Sequence, residues 1–271
     1  TWGMDVKKYF RDDKHYTYKE MEDCVDERKT IEKSWEEQRN YVRNAEKILG
    51  IEPEYDTSLP DLSGYAKITD DKADVFEISW QIFDNSDYER YKKDYMRLND
   101  ATVGWAIWDF TKVGLPDYNG GIYTAQVTEA YKKDNTEIYK LEFDKEIETK
   151  YGLPYFYLII KDKNIEIKWY NKKNSRLPQA CWFKIKGLDE EWELNKMGEW
   201  ISPENIIGSP LISAVENGVR NKSVVIETID TALVAPYGRR LLHYNEKGLK
   251  QDLYFNLYNN IWNTNFPMWY S

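Results

Sequence analysis

Apolar residues recur along this chain with two different periods, and the change between them divides it. Before about residue 100 the spacing is helical. In 30–49, Ile31, Trp35, Val42, Ala45 and Leu49 share one face, and Gly50 supplies a stop. A second helix is predicted from Ser86, where Ser86-Asp-Tyr-Glu89 reads as a capping box and Tyr88, Tyr91, Tyr95 and Leu98 form a stripe. Residues 51–71, with Pro53 and Pro60, read as a connecting loop. The apolar run 75–83 suits either a short buried strand or a buried helical segment.

From about Asp117 the period becomes two. Strands are predicted at 122–131, 136–143, 155–160, 165–170, 180–185, 211–215 and 223–229 and after Leu253, each bounded by Gly, Pro, Asn or Asp. Asp162-Lys-Asn164 reads as a hairpin turn. Without a long helix between them, these strands should be antiparallel and stacked as a sandwich. The pattern thus predicts an α+β chain, with a helical region over 1–116 and an antiparallel β-sandwich over 117–271.

The last stretch is the most specific. Leu253, Phe255 and Leu257 alternate with Tyr254, Asn256 and Tyr258; then Asn259, Asn260 and Asn265 crowd around Trp262, Pro267 and Trp269. Asn residues bond their own backbone, and Pro267 forbids a helical Phe266, so a shaped loop should follow the strand. Two roles compete for it. Trp262 and Trp269 could stack on sugar C–H groups while Asn259, Asn260 and Asn265 bond hydroxyls. Alternatively, the aromatics close the end of the sandwich and the Asn residues satisfy loop backbone, which composition alone favours.

A net charge of −9 with Lys interleaved among Asp and Glu excludes a nucleic-acid partner. The longest apolar run, 155–160, is far too short to span a membrane, so none is expected as a partner. Cys24 and Cys181 form no CxxC motif, and His15 and His243 lack the spacing of a metal pair. No nucleophile elbow, phosphate-binding loop or HExxH motif occurs, and paired acids such as Glu36-Glu37 are uninformative among 47 acidic residues. No catalytic residue and no metal ligand is therefore assigned. The opening Thr1-Trp-Gly-Met-Asp5 carries no leader-like features and reads as the start of a piece of something longer.

The run 257–269 resembles the closing motif of a family related to glycoside hydrolase family 38, the α-mannosidases. Thr1-Trp-Gly-Met-Asp5, Ser34-Trp-Glu-Glu-Gln-Arg-Asn-Tyr41, 80–90 and Ile229-Asp-Thr-Ala-Leu-Val-Ala-Pro236 resemble segments of the same family in the same order. The resemblance implies the region after a catalytic barrel: a helical bundle, then a large antiparallel β-sandwich like those of the galactose mutarotase-like proteins. It implies a carbohydrate substrate, with the missing amino-terminal barrel as partner. The metal, a divalent ion such as zinc, and the nucleophile belong to that barrel, so this chain alone should hold no cofactor and should not hydrolyse glycosides. Trp2 is implied as a sugar contact and Asp5 as a residue supporting the site from behind. The alternative is a non-catalytic interaction or carbohydrate-binding module, its aromatic stretch buried against the barrel or a second copy in a homo-oligomer.

Overall fold

The structure is a computed structural model that describes residues 40, 44, 48, 58–69, 75–84, 86–87, 119–173, 177–188, 191–205, 212–213, 218–239 and 251–260. The chain divides into two compact units, Thr1–Ser63 with Gly114–Asp117, and Gly64–Val113 with Tyr118–Ser271. Every strand below belongs to the second.

A five-stranded antiparallel sheet has the order β1 (Ala66–Lys67), β4 (Gln126–Lys133), β5 (Thr136–Glu142), β6 (Tyr155–Lys161) and β7 (Asn164–Tyr170). Strands β4 to β7 form a meander of neighbours in sequence. At its hairpin tips Asp134 and Asp162 take φ of 50° and 55°, a left-handed conformation that Asp tolerates better than most residues. Asn135 Nδ2 donates to Asp162 Oδ1 at 3.3 Å, tying the two tips together. Between β5 and β6 lies helix α1 (Lys145–Tyr151), which the strand-dominated pattern hid. Asp144 caps it by accepting from the Glu146 N–H at 2.9 Å, and Gly152 ends it with a left-handed φ of 63°.

A six-stranded sheet has the order β11 (Ile212–Ser213), β14 (Leu233–Ala235), β15 (Tyr254–Asn259), β8 (Gln179–Ile185), β2 (Phe76–Ile82) and β3 (Gly121–Thr124). A smaller sheet joins β10 (Glu199–Ile201), β9 (Glu193–Lys196), β12 (Val219–Arg220) and β13 (Val225–Ile226). The five- and six-stranded sheets meet face to face through aromatic side chains. Trp80 of β2 lies edge-on to Phe143, and Trp169 of β7 lies edge-on to Tyr258 of β15.

The expected α+β class is corrected. Among the described residues 50% are strand and 11% helical, and no amino-terminal helical bundle is seen, although sandwich-like sheets are present. The ambiguous run 75–83 shows the physical reason. All seven residues of β2 pair with β8, and Ser79 to Ile82 pair also with β3, so its amides are committed to a ladder rather than to a helix. Asn40, Asn44 and Ile48 are helical and exposed, on positions outside the predicted stripe of 30–49; the rest of that helix lies outside the described residues. So does most of the helix predicted from Ser86, whose cap is also corrected. Asp84, not Ser86, is the capping residue: its Oδ1 accepts from Ser86 N at 2.9 Å and Asp87 N at 3.3 Å, while Asp87 Oδ2 accepts from Asp84 N at 3.0 Å. Burial raises the Asp84 pKa, but the bonds from Ser86, Gly120 and Asp87 outweigh it and hold the carboxyl below its ordinary value.

Candidate functional site

The predicted sugar-binding loop begins where β15 ends, and there the loop's first two Asn residues, Asn259 and Asn260, can be followed. Asn259 pairs with Ala180 of β8 and donates from Nδ2 to Asn256 Oδ1 at 2.7 Å. Asn260 is buried. Its Oδ1 accepts from Gln179 N at 2.6 Å, its Nδ2 donates to Leu177 O at 2.9 Å, and its own N–H donates to Gln179 O at 3.0 Å. Both ends of the Asn260 amide thus bond backbone, extending the ladder one residue beyond the strand. Trp2, Asp5, Trp262, Asn265 and Trp269 lie outside the described residues.

The alternation expected along β15 does not hold, because this strand is central and covered on both faces. Leu253, Tyr254, Phe255 and Asn256 are all buried. The register then shifts between Asn256 and Tyr258, with Leu257 as the extra residue. Asn256 Nδ2 fills the irregularity by donating to Cys181 O and Tyr258 O, each at 3.2 Å.

That shift places Tyr258 opposite Cys181, whose other neighbour across the ladder is Trp80. Cys181 is small and fully buried, so the rings on either side lean together over it and stack at 5.5 Å with an interplanar angle of 28°. Trp169 approaches Tyr258 from β7, the edge strand, with centroids 6.3 Å apart at 77°. It shares the inward face with Ile165 and Ile167 and packs edge-on to Phe156, yet stays 39% exposed. Among the described Trp residues it alone is open to solvent to this degree.

Lys172 completes this rim. Its Nζ lies 5.6 Å from the Trp80 ring centroid and 6.0 Å from that of Tyr258, and it donates to Lys173 O. Among the described residues no carboxylate stands within ion-pair distance of it. Burial pushes its pKa down to about 8. Sequence reading missed Trp169, Tyr258, Trp80 and Lys172 as a group. Only Trp169 left a signal, as the last inward position of a strand with Ile165 and Ile167 on the same parity.

Two other places gather polar groups. On the opposite face of the six-stranded sheet, Arg239 donates to Glu77 Oε1 at 2.6 Å and Ser79 Oγ at 3.1 Å, and lies over the Tyr254 ring at 4.5 Å. Lys184 pairs with Asp252 and lies 4.9 Å from the same ring centroid. Burial lowers the Lys184 pKa, but the Asp252 bond and the nearby Tyr254 and Asp252 charges raise it above its ordinary value. Trp182 Nε1 donates to Gln81 Oε1 at 3.0 Å. These groups satisfy one another and hold β2, β8 and β15 together. A cleft of about 410 Å³ opens where β3 crosses to β4, with Thr124, Gln126 and Lys186 above Phe76 and Leu141. Its one carboxylate, Glu129, is engaged by Lys67 and Lys140, each at 3.7 Å, and by the Tyr131 hydroxyl. This cleft is lined by none of the rim residues, and the rim has the more distinctive chemistry.

Among the described residues no three His, Cys, Asp or Glu side chains gather as a metal site, and no helix is long and apolar enough to cross a membrane. Compared with protein-family models, with curated proteins and with solved structures, the chain matches none.

Proposed function

We propose that this chain is the β-rich part of a carbohydrate-active protein resembling the family 38 glycoside hydrolases. In that role it buttresses a catalytic barrel and presents a sugar-contacting rim where β15 ends. The observation that carries this reading is Trp169, an exposed indole fixed edge-on by Phe156 and Tyr258 and close to the strand end from which the Asn-rich stretch departs. An aromatic face already held by its neighbours loses little freedom when a pyranose stacks on it. Asn260 supports a packing role instead, since its amide is bonded to backbone at both ends. Sugar contact in this region therefore falls to Trp169, with the rest of the predicted loop as its extension.

Calorimetric titration with α-linked mannobiose tests the proposal. The wild-type chain should bind with Kd near the millimolar range, about −4 kcal/mol, as expected of one stacking ring with few polar contacts. Trp169→Ala should abolish binding while shifting the melting temperature by only a few degrees, about what an edge position gives. A folded wild-type chain that binds neither mannobiose nor other neutral disaccharides at about 10 mM would overturn it.

A further inference from the structure

We infer that β7 is a pairing edge for a second copy of this chain, joined antiparallel about a two-fold axis at Ile167. Each of the three sheets ends in two outer strands. Among the described residues β1, β11 and β13 are two residues long, β10 three and β3 four, too short to template much pairing. β7 has seven, keeps its register with β6 from Asn164 to Tyr170 without a bulge, and contains no Pro. No other described strand lies along its free side. An edge of this kind is a ready template for another strand.

The backbone has the right parity. On the far edge of the same sheet Ile68 N donates to Ala130 O at 2.9 Å. Bonded and non-bonded pairs alternate along each antiparallel ladder. Carried through the registers of β4, β5, β6 and β7, that alternation turns the N–H and C=O of Ile165, Ile167 and Trp169 toward the free edge. The same three side chains share the inward face, where Ile165 and Trp169 are still 38% and 39% exposed.

The order of side chains selects the partner. The strand reads Asn164-Ile-Glu-Ile-Lys-Trp-Tyr170, and turned upon itself about Ile167 it sets Ile165 opposite Trp169, Glu166 opposite Lys168 and Ile167 opposite its own copy. The apolar and the charged pairs are each made twice, as an isologous interface requires. Within one chain Lys168 Nζ already lies 3.6 Å from Glu166 Oε1, so both charges stand on one face. A slip of two residues either way, the smallest that keeps each side chain on its face, puts Glu166 against Glu166 or Lys168 against Lys168. Like charges directly opposite are destabilising, so the charges select one register.

The inference does not rest on sugar binding. Pairing and stacking draw on the same Trp169, but a monomeric chain that binds mannobiose ends only this inference, and a dimer that binds no sugar ends only the other. Sedimentation velocity of the full chain without sugar, from about 1 to 500 µM, is the test; so small an interface should give a dimer with Kd of about 1–100 µM. Glu166→Lys, at a side chain 60% exposed, sets Lys against Lys168 twice and should raise that Kd roughly tenfold. Lys168→Glu should do the same. An equimolar mixture of the two variants restores both opposite-charge pairs and should dimerise about as tightly as the wild type. If Lys168→Glu does not fold, Glu166→Lys alone decides. A folded wild type that stays monomeric at about 500 µM leaves the edge to some other strand and overturns the inference. So does a dimer whose Kd Glu166→Lys leaves unchanged, or a mixture of folded variants that stays monomeric.

Discussion

The six-stranded sheet carries a cation over aromatic rings on each of its faces, and the two are treated in opposite ways. On one face Lys172 lies over Trp80 and Tyr258 with no carboxylate beside it among the described residues, and burial pushes its pKa down to about 8. On the other, Lys184 and Arg239 lie over Tyr254, each with a carboxylate, and Lys184 is held above its ordinary value. The aromatic ring is common to both, and the faces differ in depth of burial and in the carboxylate partner, so desolvation acts unopposed on Lys172 while Asp252 outweighs it at Lys184. A cation–π contact contributes about 0.5–2 kcal/mol, less than the several kcal/mol that removing an ammonium from water can cost.

Substitutions separate the two faces, beginning with the largest expected effect. Arg239→Ala leaves Glu77 without its guanidinium at a position only 15% exposed, and urea denaturation should show a loss of about 2–4 kcal/mol. A loss below about 1 kcal/mol would mean that solvent reaches the pair and screens it.

The pH dependence of stability should come next. An unfolded lysine keeps its proton up to about pH 10.4, whereas folded Lys172 releases it near 8, so between these values the unfolded chain binds more protons and stability rises, by on the order of 2 kcal/mol. Tyr123 sets the other limit. Burial and its bond with Tyr151 push its pKa up to about 12, so above about pH 10 the unfolded tyrosine ionises first and stability falls. The urea midpoint should therefore peak near pH 10, and a curve that falls steadily from pH 8 would refute the uncompensated state of Lys172.

Smaller effects have opposite signs. Lys172→Met removes a charge the fold disfavours and should stabilise the chain at pH 7 by about 1 kcal/mol, a gain that disappears by pH 10. Lys184→Met removes a charge the fold compensates and should destabilise by about 0.5–1 kcal/mol, since Asp252 is 44% exposed and partly solvated. Equal signs for the two variants in thermal melts would erase the distinction between the faces.

Much of the meander was legible, because its strands alternate and end in Asp, Asn and Gly. The run 75–83 was not, since Ile78 to Ile82 are buried on both sides and a strand so covered has no period to detect. Helix α1 had its signals in Asp144 and Gly152, but seven residues between two strong strands gave too short a window for a helical period. For the rim, the last strand and its Asn residues could be read, and the aromatic cage could not. Tyr170-Asn-Lys-Lys-Asn174 looks like any solvated turn, and the rings that Lys172 lies over come from two strands distant in sequence. The expectation of an α+β chain with a helical bundle gave periodicity and resemblance more weight than the sheet pairings sustain.

The strand order sets a timetable for the chain as it leaves the ribosome. Strands β4 and β5, and β6 and β7, pair across tight turns, and only the short helix α1 separates β5 from β6, so the meander can assemble as it emerges. β2 cannot do so: its main partner is β8, and 101 residues separate Gln81 from the Trp182 it bonds. At about 5–20 residues per second this corresponds to roughly 5–20 s of synthesis during which Ile78, Trp80 and Ile82 are without their principal cover. Nascent-chain handling, by a chaperone that binds short apolar segments, is thus expected to centre on the earliest strand of the six-stranded sheet rather than on the more numerous strands of the meander.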